Sequence, residues 1–270
     1  MRSDHILIAA AVAALGVGAA KAADLPTHKP SAVSPAAQML ATDWSGFYFG
    51  LNGGYARGAS TNSFQAISTT LANFPTLVAA VNGAGSQSMS ETGGAFGAQA
   101  GYLWQASESY AMGVEADAGW SGMSGSINTL TPLPIFGGNF TMNQRLDARW
   151  TSSLRARLGF VPAQGLMVYV TGGAALAGFR YASQFNDRFN EFESVNLTSA
   201  KPGWVAGGGL EYKLGTAWSA RLEYLHSQYS ALTGQGSTLL TDGTLATVAH
   251  SSGTVKVDSF RLGVNYFPGL

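Results

Sequence analysis

Residues 146–160 read Leu-Asp-Ala-Arg-Trp-Thr-Ser-Ser-Leu-Arg-Ala-Arg-Leu-Gly-Phe. Leu146, Ala148, Trp150, Leu154, Ala156, Leu158 and Phe160 share one phase of a two-residue period; Asp147, Arg149, Thr151, Ser153, Arg155 and Arg157 share the other. A strand sends successive side chains to opposite faces, so the stretch predicts one apolar and one charged face. The alternation recurs upstream. Phe47, Phe49, Leu51, Gly53 and Tyr55 oppose Tyr48, Gly50, Asn52 and Gly54, and Phe96, Ala98, Ala100, Tyr102 and Trp104 oppose Gly97, Gln99, Gly101 and Gln105. Tyr110, Met112, Val114, Ala116, Ala118 and Trp120 oppose Gly113, Glu115, Asp117 and Gly119. Downstream, segments at 166–182, 204–214, 218–224 and 259–266 behave alike, with Glu211, Lys213, Arg221, Glu223 and Arg261 on their polar phase. Eight segments, most of them about ten residues or longer, fit tilted membrane strands.

The connections alternate in length. Short ones lie near 106–109, 162–165 and 215–217, and long ones near 58–92, 124–144, 183–200 and 230–253. Outer-membrane barrels have short periplasmic turns and long external loops. An even strand count then places both termini in the periplasm.

The distribution of charge decides what surrounds the barrel. A soluble barrel carries charge outside, whereas a membrane barrel must carry it inside, because lipid does not solvate it. The polar phase holds Glu115, Asp117, Asp147, Arg149, Arg155, Arg157, Glu211, Lys213, Arg221, Glu223 and Arg261, nearly balanced in sign. These are expected to form a lumenal ion-pair network. Trp44, Trp104, Tyr110, Trp120, Trp150, Phe160, Trp204, Tyr212, Trp218, Phe260 and Tyr266 lie toward segment ends and are assigned to aromatic girdles. Tyr110 to Trp120 and Trp150 to Phe160 each span ten residues, which at a tilt near 40° is roughly 25 Å, the height of a lipid-facing band. The fold class expected is all-β: a transmembrane, eight-stranded, antiparallel up-and-down β-barrel with a filled polar lumen.

Composition agrees. Of 270 residues, 11% are charged, and fifteen basic residues cancel fifteen acidic ones. No net field therefore draws the chain to nucleic acid. There is no cysteine, which excludes disulfides and a lipid-bearing cysteine anchor. Arg2, the apolar run at 6–19 and Ala20-Lys21-Ala22 read as a secretory signal peptide over 1–22. Pro26, Pro30 and Pro35 mark 23–43 as a flexible periplasmic lead-in, and 44–270 form the barrel. The localisation expected is the outer membrane of a Gram-negative cell.

Eight strands leave a bore barely wider than its own side chains. We therefore expect no general diffusion channel, although inward glycines leave gaps for water; a small porin-like channel for water or small solutes is the alternative. Catalytic readings are declined. His226-Ser227 and His250-Ser251 come without an identifiable acid, so no enzyme, cofactor or metal is assigned. Asp187, Glu191 and Glu193, with Arg188 among them, match no calcium loop. Gly207-Gly208-Gly209 relieves crowding in a narrow barrel. Leu71, Phe74, Leu77, Val78 and Val81, interrupted by Pro75, offer either a surface for an extracellular partner or, preferentially, packing onto the barrel mouth.

Trp44-Ser45-Gly46-Phe47-Tyr48, Gly53-Gly54-Tyr55 and Ala23-Asp24-Leu25-Pro26 resemble the outer-membrane immunogenic proteins of alphaproteobacteria. So do Gly97-Ala98-Gln99-Ala100-Gly101-Tyr102, Gly113-Val114-Glu115-Ala116-Asp117, Ser153-Leu154-Arg155-Ala156-Arg157-Leu158-Gly159, Tyr169-Val170-Thr171-Gly172-Gly173 and Arg261-Leu262-Gly263-Val264-Asn265-Tyr266. The resemblance implies an OmpA-like surface-antigen barrel without an assigned reaction, contributing to envelope integrity and surface contact. Its implied partners are outer-membrane lipid, lipopolysaccharide and the barrel-assembly machinery. Such barrels usually end in an aromatic residue; here Pro268-Gly269-Leu270 follow Phe267 and displace that signal.

Overall fold

The computed structural model describes residues 43–67, 73–134, 137–186, 192–239 and 245–269. The expected signal peptide and all but the last residue of the expected lead-in lie outside them. The described elements are β1 (Gly46–Ile67), α1 (Pro75–Gly85), β2 (Ser88–Ser107), β3 (Tyr110–Ser121), β4 (Ser124–Pro132), β5 (Asn139–Ala163), β6 (Leu166–Asn186), β7 (Phe192–Lys213), β8 (Trp218–Tyr229), β9 (Thr233–Leu239), β10 (Leu245–Ser252) and β11 (Val255–Tyr266). Antiparallel pairing runs β1–β2–β3–β5–β6–β7–β8–β11 and returns from β11 to β1. This closed ring comprises the eight expected strands. The other three lengthen its wall: β4 pairs with β5, β10 with the far end of β1, and β9 with β10. Strand thus occupies much of what the sequence suggested were long loops.

Across the middle of the ring, the outward residues are apolar and exposed, among them Leu51, Val114, Leu154, Leu158, Val170 and Leu262. Aromatic residues bound this belt. Tyr110 pairs in register with Phe160 at the end bearing the short turns, and Trp120 with Trp150 at the opposite, loop end. Glycines seat the bulkiest rings. A Cβ on Gly178 would lie 2.2 Å from Trp150 Nε1, and one on Gly122 would lie 2.3 Å from the Trp120 ring. At the turn end, Gly165 adopts φ 79° in the tight connection from β5 to β6, a conformation that favours glycine.

The opening stretch of sequence conceals a change of phase. Its register with β6 shifts between Ala148 and Trp150, leaving Arg149 as the extra residue of a β-bulge. On the turn side of the bulge, Trp150, Leu154, Leu158 and Phe160 face outward; on the loop side, Leu146 and Ala148 are buried within the ring and Arg145 is exposed. An apolar plug fills the loop-end interior, including Met89, Met123, Phe179, Tyr181, Leu225 and Tyr229. Beyond the belt the wall therefore has the polarity of a soluble protein, apolar within and polar without.

Glu91 is buried beside this plug, five residues past the rim aromatic Phe96. One carboxylate oxygen accepts from Ser60 Oγ at 2.6 Å, and the other has no hydrogen-bond partner among the described residues. Burial raises its pKa above the ordinary 4.5, because apolar surroundings disfavour the charged form. As pH rises, the unfolded chain releases this proton first, so stability present below 4.5 is lost as pH climbs through the folded-state value. Glu91→Gln is accordingly expected to raise the urea midpoint at about pH 8 and to leave it nearly unchanged at about pH 4. The heat-dependent gel mobility of the folded barrel reads that midpoint, and equal midpoints at the higher pH would contradict this account.

Candidate functional site in the barrel lumen

The lumen is built by two-residue periodicity. Once Leu154 and Leu158 face outward, Arg155 and Arg157 on β5 must point into the bore, as must Glu115 and Asp117 on β3. Arg155 Nη2 contacts Glu115 Oε1, and its Nη1 donates to Glu223 Oε1 on β8 at 3.2 Å. Arg157 Nη2 donates to Glu211 Oε2 on β7 at 2.7 Å, and its Nη1 lies 3.3 Å from Glu115 Oε2. Arg221 on β8 donates to that same Glu115 oxygen at 2.5 Å, and Arg261 on β11 donates to Asp117 Oδ1 at 3.2 Å. Several bonds span the bore, whereas Arg155 and Glu115 are register partners on adjacent strands. Glu211 and Arg221 are register neighbours, yet each reaches its charged partner on another wall.

Neutral groups complete the lattice. Tyr48 on β1 donates to Glu115 Oε2 at 2.7 Å and accepts from Arg157 at 2.9 Å. Tyr169 on β6 donates to Glu223 at 3.0 Å, and its ring lies 3.9 Å from the Arg157 guanidinium carbon. Ser219 and Asn265 both donate to Glu211 Oε1, and Gln99 on β2 donates to Asn265. Every strand of the ring contributes. Tyr48, Tyr169, Gln99, Ser219 and Asn265 share the inward phase but carry no charge to mark them as lattice members in the sequence.

The expected gaps at inward glycines are occupied. A Cβ on Gly101 would lie 2.4 Å from the Tyr48 hydroxyl, and one on Gly209 would lie 2.6 Å from that of Tyr169. Between the lattice and the apolar plug remains a cavity of about 20 Å³, bordered by Ser121, Thr151, Ser227 and Arg261, which is room for about one water. At the turn end, Trp44, Tyr48, Leu103, Met167 and Phe267 form a second apolar cluster. The Lys213 ammonium stands there, 3.4 Å from the Phe267 ring centre and 5.1 Å from that of Trp44.

Of the residues assigned to the lumen, Glu115, Asp117, Arg155, Arg157, Glu211, Lys213, Arg221, Glu223 and Arg261 lie within it. Asp147 and Arg149 do not. The bulge turns Asp147 outward, where it accepts from Arg145 Nε at 2.9 Å, and leaves Arg149 exposed. Among the girdle residues, Trp104, Tyr110, Trp120, Trp150, Phe160, Trp204, Tyr212, Trp218, Phe260 and Tyr266 are exposed on the outer face. Trp44 is fully buried instead, folded into the bore ahead of β1.

The apolar group of the first long connection is partly helical. Pro75 begins α1 rather than interrupting a loop, as suits a residue whose missing N–H has no partner in a first helical turn. Leu77, Ala80 and Val81 pack against Leu133, Phe140 and Phe185 at the mouth, the favoured alternative for this segment. Leu71 lies outside the described residues, as do Asp187, Arg188 and Glu191. His226 proves to have an acid beside it: Asp258 Oδ1 lies 2.8 Å from its Nδ1 and also accepts from the Tyr224 hydroxyl. Ser227, one residue on, is buried on the lumenal face, so the adjacent His-Ser pair is divided between two sides of the wall.

Comparison with known proteins places this geometry in context. Residues 7–267 match the family model described as outer membrane protein beta-barrel domain. Over 225 residues the chain is 32% identical to the 31 kDa outer-membrane immunogenic protein of Brucella melitensis, covering 82% of this chain and 85% of that protein. It is also 32% identical to the 25 kDa outer-membrane immunogenic protein of Brucella abortus over 133 residues, 49% of this chain and 51% of that one. Among solved structures, the outer membrane protein OprG from Pseudomonas aeruginosa aligns over 83% of this chain and 97% of its own, with 13% identity and a TM-score of 0.40.

Removing one arginine leaves its carboxylates charged and buried. Arg157→Met, which retains much of the side-chain volume but releases Glu211 and Glu115, is expected to destabilise the folded barrel by about 3–5 kcal/mol. Urea unfolding followed by gel mobility checks the loss; a change below about 1 kcal/mol would mean that water already solvates the lattice.

Proposed function

The chain belongs to the outer-membrane β-barrel family, and we propose that within it the protein is a sealed, non-catalytic surface barrel. In this reading it supports envelope integrity and makes contacts through its loop end, with both termini in the periplasm. The carrying observation is that the bore is occupied at three successive levels: the turn-end aromatics around Trp44 and Phe267, the ion lattice and the loop-end plug. α1 packs over the mouth beyond them. A solute would have to break charge pairs held across a low-dielectric space to pass.

Non-catalytic character is supported by the division of His226 from Ser227 across the wall. The orientation is supported by the contrast between short turns at one end and extended strands and α1 at the other, the arrangement expected of outer-membrane barrels. Bilayer lipid and lipopolysaccharide are the partners of the exposed belt and rim, the barrel-assembly machinery inserts the chain, and the mouth offers the surface for an extracellular partner.

Planar-bilayer recording tests the seal. Purified full-length protein is expected to give no stable stepwise conductance in molar salt, and liposomes containing it are expected not to swell in small sugars. Stable openings would favour the small-solute channel instead. If openings appear only in Arg157→Met, the lattice is the barrier.

A further inference from the structure

The outward apolar belt ends at Trp150 on β5 and at Gly178, its register partner on β6. Immediately beyond, the same outer surface becomes cationic. Arg149 occupies the bulge, Arg180 lies two residues past Gly178, and Arg145 lies farther along β5, opposite Ala182. All three are exposed. Register places Asp147 opposite Arg180, but its carboxylate is engaged by Arg145. Neither Arg149 nor Arg180 makes an ion pair among the described residues. Exposed hydroxyls adjoin them, Ser126 in register with Arg145 and Thr198 with Arg180.

Among the described residues, the fully exposed charges differ in sign between the two ends, with Asp147 and Asp258 the partly exposed acids at the loop end. Arg57 and Lys256 are also exposed toward the loop end, whereas Asp43 and Glu108 are exposed at the turn end. Trp150 and Trp204, exposed at the same edge of the belt, suit the boundary between hydrocarbon and headgroups. A guanidinium there meets lipid phosphate rather than acyl chain, and its planar fork matches two phosphate oxygens at once.

We propose that Arg145, Arg149 and Arg180 form a recognition patch for the phosphate groups of an anionic glycolipid in the leaflet at the loop end. The patch deepens the surface-barrel reading and rests on its orientation for the leaflet concerned. Asp147 holds Arg145 in place, while Arg149 and Arg180 supply the free donors.

Native mass spectrometry of the full-length protein refolded in detergent tests the patch, with bisphosphorylated lipid A and its dephosphorylated form as probes. The parent protein is expected to bind the phosphorylated form at least about tenfold more tightly, since charge-assisted bonds of this kind are worth a factor of ten or more. The R149Q/R180Q variant should lose that preference, R149K/R180K should keep part of it, and R57Q/K256Q should keep it in full. A heat-dependent gel shift verifies that each variant is folded. Equal binding of the two lipids by the parent, which needs no variant, would overturn the proposal. So would an unchanged preference in R149Q/R180Q, an equal loss in R57Q/K256Q, or displacement of the lipid by millimolar inorganic phosphate. Binding in detergent is independent of orientation. Labelling of a loop-end tag on intact cells tests the leaflet separately, so a failed orientation and a failed patch give different results.

Discussion

A guanidinium on a strand surrounded by hydrocarbon has one direction open to it, and the architecture of this barrel follows from that restriction. Arg155, Arg157 and Arg221 point into a bore too narrow for bulk water, so each must be neutralised by carboxylates that share that bore. Glu115 alone receives all three. The consequence is geometric more than energetic. Buried ion pairs contribute little net stability over apolar packing, but a mispaired one is costly. A strand that slipped by one residue would carry its charges into lipid. The lattice therefore specifies register around the whole ring.

The same restriction, released, explains the loop end. Past the Trp120–Trp150 row the surroundings become polar, and the chain exchanges its faces: Leu146 and Ala148 turn in while Arg145 and Asp147 turn out. One inserted residue at Arg149 accomplishes this on β5. The bulge sets where the membrane-adapted wall stops and where the exposed arginines of β5 and β6 begin. Along its axis the barrel is filled, and along this edge it carries exposed charge.

Most of the ring was legible because each belt strand is strictly alternating, and alternation reports which residues share a face. It does not report where the medium changes. An unbroken period through 146–160 puts Asp147 and Arg149 in the lumen, and nothing local in Ala148-Arg149-Trp150 marks the extra residue. Trp44 stands at a strand end, where a girdle is expected, but its burial depends on Phe267, Lys213 and Met167, all remote in sequence. Pro75 read as a loop breaker, whereas the apolar mouth formed by Leu133, Phe140 and Phe185 gives α1 a surface on which to pack. The strand extensions are hidden for a related reason: beyond the belt the apolar residues, such as Met89 and Met142, lie inside and the polar ones outside, the reverse of the belt pattern.

Trp44 precedes the first strand and Phe267 follows the last, yet their ring centres lie 6.4 Å apart inside the turn end. Neither ring can reach that position until β11 has found β1. Nearly the whole chain must be gathered before this contact exists, and the entropy of closing so long a loop is met ahead of the reward. An open sheet would leave those rings uncovered and would lack the walls that bring guanidiniums to their carboxylates. The final strand pairing relieves both defects together, so the ends of the chain act as a latch and the barrel is committed as a whole at the moment its seam shuts.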